Sequence, residues 1–165
     1  MKTVSTVEDL FFDQLRDLHS MESQISISLP NLAATAGNPE LQALILRHSD
    51  ETARHYRTVQ AIFERHGQQV GSDKCKAVEG LIAGGDSHLA IAEPVQVRDL
   101  MMIAHCLRIE HYEIAAYEIT ARLAERLGLE FEAQILSEHL AEEDRMAALL
   151  LEIEAKIYRS APHSL

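Results

Sequence analysis

Thr35-Ala36-Gly37-Asn38-Pro39-Glu40-Leu41 decides how this chain is laid out. Gly37 stops one helical pattern, and Asn38-Pro39-Glu40 starts another at once. An asparagine N-cap is followed by proline at the first helical position and an acid in the first turn. Two helices joined this tightly run antiparallel, side by side.

Upstream of this joint, Ser5-Thr6-Val7-Glu8 has the pattern of a capping box, with Ser5 as N-cap and Glu8 three residues on. Apolar residues then recur at Val7, Leu10, Phe11, Leu18, Ile25, Leu29 and Leu32 in steps suited to one helix face. Pro30 lies inside that run and predicts a kink about one turn before it. Downstream, Leu41, Leu44, Ile45, Val59, Ile62 and Phe63 continue a second stripe that ends at Gly67. At ~1.5 Å per residue such helices are roughly 45 Å long, a length that makes sense only when neighbours pack along it.

Residues 67–94 differ. They hold Gly67, Gly71, Gly80, Gly84, Gly85 and Pro94 around a short apolar stretch, and read as a crossover carrying one or two short helices. Two more long helices follow, at about 95–127 and 129–158, separated by Gly128. With the first pair at about 6–36 and 39–66, the plan is hairpin, long crossover, hairpin. The expectation is an all-α, ferritin-like four-helix bundle forming a single domain over 1–165, because that arrangement uses one long connection where up-and-down bundles use none.

Composition narrows the function. A net charge of -11 disfavours a nucleic-acid partner. No apolar run nears the ~18 residues of a spanning helix, so no membrane partner is expected. The N-terminal residues turn acidic before a signal-like core can form, and the two cysteines, Cys75 and Cys106, suit a reducing compartment. A cytoplasmic location is the expectation. Phosphate-binding loops, Cys-x-x-Cys pairs and a nucleophile elbow do not occur.

The informative feature is a set of glutamates in line with the apolar stripes. Glu22 lies between Leu18 and Ile25; Glu51 follows Leu44 by seven; Glu110 follows Cys106 by four, with Glu113 one turn on; Glu142 precedes Met146 by four. Glu22 to Glu51 spans 29 residues, as does Glu113 to Glu142, and His48 precedes Glu51 by three as His139 precedes Glu142. The two hairpins thus read as halves of a pseudo-twofold pair. Buried carboxylates at one level repel one another unless cations lie between them. Glu22, Glu51, Glu110, Glu113 and Glu142 are therefore candidate ligands for two divalent metal ions, with His55, one turn after Glu51, as a nitrogen donor. Oxygen ligands with imidazole suit iron first, then manganese, with zinc also allowed. His48, His139 and His19 are further options, and Glu143 competes with Glu142 for the inward position. The plain alternative is that these glutamates are solvated, or paired with Arg54, Arg108 or Arg145.

Three stretches carry a resemblance over nearly the whole length: Leu18-His19-Ser20-Met21-Glu22-Ser23-Gln24, Lys74-Cys75-Lys76-Ala77-Val78-Glu79-Gly80-Leu81 and Glu110-His111-Tyr112-Glu113-Ile114-Ala115-Ala116-Tyr117. On these the sequence resembles the bacterial YciE/YciF-like family of the ferritin-like superfamily. The resemblance implies a cytoplasmic homodimer linked to stress responses. It also resembles the rubrerythrin and bacterioferritin pattern of carboxylates joined by Glu-x-x-His pairs. Here the pattern departs: Arg54 follows Glu51 by three, and Arg145 follows Glu142 by three. The expected function is a di-metal carboxylate protein, ferroxidase-like or peroxide-reducing, with O2 or peroxide as the small partner. The alternative is a non-catalytic, stress-related helical scaffold.

Overall fold

The computed structural model describes residues 3–160. Five helices follow in order: α1 (Val7–Thr35), α2 (Pro39–Arg65), α3 (Lys76–Leu89), α4 (Val95–Arg126) and α5 (Glu130–Ser160). Among the described residues there is no strand. The crossover carries one helix, α3.

The capping box forms one residue later than the sequence pattern suggests. Thr6 is the N-cap, its hydroxyl accepting from Asp9 N at 3.0 Å while the Asp9 carboxylate accepts from Thr6 N at 3.2 Å. The carboxylate that closes the box is Asp9 instead of Glu8, and it also accepts from Ser5 N at 3.3 Å, so one acid serves both candidate caps. Helix α1 is continuous through Pro30. At the joint, Asn38 Oδ1 accepts from Glu40 N at 2.9 Å and from Leu41 N at 3.1 Å, as its sequence predicts. The second hairpin turns at Gly128, whose φ of 71° lies in the left-handed region that glycine enters without steric cost.

Helix α1 packs along α2, and α4 along α5; α1 also faces α4, and α2 faces α5 more sparingly. Helix α3 lies against α4 and α1. Asp99, buried near the start of α4, accepts from Gly37 N at 2.8 Å and so ties the first hairpin's turn to the second hairpin. Gly37 is needed there, since a β-carbon would sit 2.1 Å from Val95 Cγ1.

One apolar core runs along the four long helices. Its inward positions on α5 are Leu136, His139, Glu143, Met146, Leu150, Ile153 and Ile157, all buried. Glu142, expected inward from the sequence, is half-buried, in line with the half-buried Ile135 and Leu149. The difference is one residue, about 100° of helix rotation, and it follows from how α5 settles against α4. Glu22, His48, Thr52, His55, Glu110, Glu113, His139 and Glu143 are buried toward the middle of their helices, while Asp99 and Glu132 are buried nearer the ends of theirs.

Candidate metal centre

Every long helix contributes to the polar layer. Helix α1 supplies Glu22, α2 supplies His48 and His55, α4 supplies Glu110 and Glu113, and α5 supplies Glu143. All six are at most 1% exposed. Their donor atoms form two groups, each with all members within 4.8 Å of one another. One is His48, Glu110, Glu113 and Glu143; the other is Glu22, His55 and Glu143. Glu143 belongs to both.

Of the sequence-expected ligands, Glu22, His55, Glu110 and Glu113 come together in this layer. Glu51 and Glu142 do not join it. Their side chains stay 29% and 21% exposed, at its edge. Glu51 Oε2 lies 3.4 Å from His48 Nδ1, and Glu142 Oε2 lies 2.6 Å from His55 Nε2. Arg54 holds both Glu142 oxygens, at 3.3 and 2.7 Å. His19 sits apart, its ring tilted against that of Tyr56. His139 lies beside the layer, stacked on His55 with ring centroids 4.0 Å apart. Tyr117 donates its hydroxyl hydrogen to Glu22 and meets both imidazoles edge-on.

His48 and Glu143 were legible only as secondary options. The signal that selects them is the buried run His48, Thr52, His55, Val59 on α2, which skips Glu51, and the run through Glu143 on α5. Glu22 and Glu113, His48 and His139, Thr52 and Glu143, and His55 and Met146 are each 91 positions apart, and all eight are buried.

The buried groups of the layer shift one another's protonation. Burial pushes Glu22 above the usual carboxylate range and raises Glu110 to about 8. Burial, together with Glu143, Glu22 and Glu110, lifts Glu113 well above that range. For the imidazoles burial acts downward but loses: Glu110, Glu51, Glu143 and Glu22 raise His48 to about 9, and Glu143 and Glu22 raise His55 to about 10. His139, buried beside charged His55, falls to about 3. For Glu142, Arg54 and His55 outweigh burial and hold it down to about 2.

Several inward atoms have no hydrogen-bond partner: Glu22 Oε2, Glu110 Oε2, both oxygens of Glu113 and of Glu143, His48 Nε2 and His55 Nδ1. Glu143 Oε1 comes within 2.8 Å of His55 Nδ1, yet without the alignment of a hydrogen bond. Orphaned buried carboxylate oxygens are costly, and cations are the usual remedy. Four carboxylates with two neutral imidazoles carry four negative charges, which two divalent ions cancel. The donor set fits such a pair.

Comparison with known proteins agrees with this architecture. A family profile described as "Domain of unknown function (DUF892)" matches residues 6–161. Protein YciF of Escherichia coli K12 is 36% identical over 141 residues, 85% of each chain. The solved structure of YciF, described as a stress protein, superposes with a TM-score of 0.91 at 32% identity, covering 95% of this chain and 99% of that one. YcfI of Rhodopseudomonas palustris, described as a candidate structural protein, gives a TM-score of 0.86 at 31% identity, covering 90% and 95%.

Proposed function

The chain belongs to the DUF892 family, and within it we propose that this protein is a ferritin-like di-metal carboxylate protein acting in a stress response. The observation that carries the reading is the pair of buried donor groups sharing Glu143. Ferritin-like two-metal sites use one glutamate from each of two helices and a Glu-x-x-His pair from each of the other two. Here those pairs read Thr52-x-x-His55 and Glu143-x-x-Met146, so each keeps one half. Glu22 and Glu113 take the places of the two single glutamates. His48 and Glu110, one turn away, complete the group that contains Glu113 and Glu143.

Iron or manganese held there supplies two adjacent one-electron couples, enough for two-electron reduction of peroxide. The chain's own residues set the conditions. Glu110 holds a proton at neutral pH in the metal-free state and releases it on becoming a ligand, and burial biases Glu113 the same way. His48 and His55 likewise surrender a proton to become nitrogen donors. Tyr117 fixes the Glu22 carboxylate by its hydroxyl, an outer contact of the kind that orients metal ligands. Leu18, Ile25, Cys106, Leu136 and Met146, buried one or two turns from the ligands, keep bulk water and large substrates out. A homodimer in the cytoplasm, with O2 or peroxide as the small partner, belongs to the same proposal. No helix among the described residues is long and apolar enough to cross a membrane.

Anaerobic calorimetric titration of the chelator-treated protein with iron(II) or manganese(II) tests this. The expected result is saturation at two ions per chain with release of protons; no saturable uptake removes the proposal. A second reading is a metal-free scaffold. It is favoured by the imidazolium charges of His48 and His55, which can themselves neutralise part of the layer. Protein purified without added metal, empty and indifferent to chelator in its melting temperature, would support that reading.

A further inference from the structure

The six inward donors are sealed from solvent, so a cation reaching them must pass groups that are only partly covered. Two such groups touch the layer. Glu142 contacts His55, which approaches Glu22 Oε1 at 3.6 Å and Glu143 at 2.8 Å. Glu51 contacts His48, which approaches Glu110 at 3.4 Å and Glu143 at 3.6 Å. Each rim carboxylate therefore leads, through one imidazole whose inner nitrogen has no hydrogen-bond partner, to Glu143. Both lie on the seam between α2 and α5, a sparser contact between the hairpins than that of α1 with α4.

Arg54 closes this seam. It is 47% exposed, and its guanidinium occupies both oxygens of Glu142. With half of Arg54 in solvent, water screens this pair and lets a divalent cation compete for Glu142. Arg54 also borders a groove of about 310 Å³ with Arg57, Arg65 and Phe131.

Resting on the metal-binding reading above, we propose that Glu51 and Glu142 are the access carboxylates through which a divalent cation enters the buried layer, with Arg54 as a latch on Glu142. The cation replaces Arg54 on Glu142 and then passes inward as His55 and His48 turn their rings. Glu51 and Glu142 are thus positioning and transfer groups. They are not ligands of the final pair.

Stopped-flow binding of cobalt(II), followed by its absorption, separates rate from final occupancy. Wild type, Glu51→Gln, Glu142→Gln, Arg54→Ala and a control, Glu79→Gln on the exposed face of α3, are compared. The two rim glutamine variants should load about tenfold more slowly with the same final stoichiometry, and Arg54→Ala should load faster. The control should match wild type. Unchanged rates in both rim variants would overturn the access role, as would a lost equivalent of bound metal, which would make them ligands. Wild type that binds no cobalt defeats the metal-binding reading itself, a result distinguishable from either.

Discussion

Replacing Glu143 by glutamine is the most discriminating perturbation, because this carboxylate belongs to both donor groups. Glutamine keeps the shape and removes the charge, so the remaining carboxylates no longer balance two divalent ions and one positive charge stays buried without a counterion. An uncompensated buried charge costs several kcal/mol, which weakens each ion by at least about 100-fold. With metal at about 100 times the wild-type dissociation constant, each ion stabilises the native protein by about 2.7 kcal/mol, or roughly 5.5 kcal/mol for two. For a chain of this length that raises the melting temperature by about 11–22 °C. At the same concentration the variant sits near its own dissociation constants, where the two ions together contribute only about 1 kcal/mol. The assay is scanning calorimetry under anaerobic conditions, read as the difference between loaded and metal-free protein, so that any change in the metal-free state cancels. Glu22→Gln, which touches one group only, should lose about half of the increment. A Glu143→Gln protein that keeps more than half of the wild-type increment would refute the shared-carboxylate geometry.

The metal-free protein should lose stability as pH rises from about 6.5 to 10. Glu110, His48 and His55 all bind protons more tightly when folded, so their contributions are full below the unfolded values of 4.5 and 6.5 and vanish through about 8, 9 and 10. Glu142 and His139, held low, act in the opposite sense and matter only as pH falls. Saturating divalent cation should reverse the alkaline slope, and melting curves against pH with and without metal check both signs. Tyr117→Phe should cost about 1–3 kcal/mol in denaturant unfolding of the metal-free protein, because Glu22 loses its buried donor; it should also weaken the ion that Glu22 holds by at least tenfold. The adjacent glycines of α3 should respond with opposite signs. Gly84→Ala meets nothing within 4 Å and should stabilise by about 0.5–1 kcal/mol, whereas a β-carbon at Gly85 meets the buried His105 ring at 2.0 Å and should cost about 1–3 kcal/mol. Thermal melts of the two variants decide it.

The helical plan was legible because stops and starts are written in local chemistry. Gly37-Asn38-Pro39 and Gly128 mark their turns whatever surrounds them. The capping register was not, since Ser5 and Thr6 are both good caps and only the reach of Asp9 decides between them. The glutamates announced a polar layer at mid-height, and Glu22, Glu110 and Glu113 sit in it. The choice of Glu143 over Glu142, and of His48 and Thr52 over Glu51, depends on the rotation of α5 and α2 about their axes. Adjacent residues differ there by about 100°, and that angle is set by tertiary packing. Apolar residues occupy both candidate stripes of α5 (Ile135 and Leu149 on one, Leu136 and Leu150 on the other), so periodicity alone could not separate them.

The 91-residue correspondence between the hairpins has a mechanical consequence. The first hairpin supplies both nitrogen donors and a single carboxylate, while the second supplies three carboxylates and no nitrogen. Neither hairpin can coordinate a pair of ions alone, so the binding set comes into being only when the two are docked. Ions seated there act as rivets across the hairpin boundary, and pulling the halves apart would require their release.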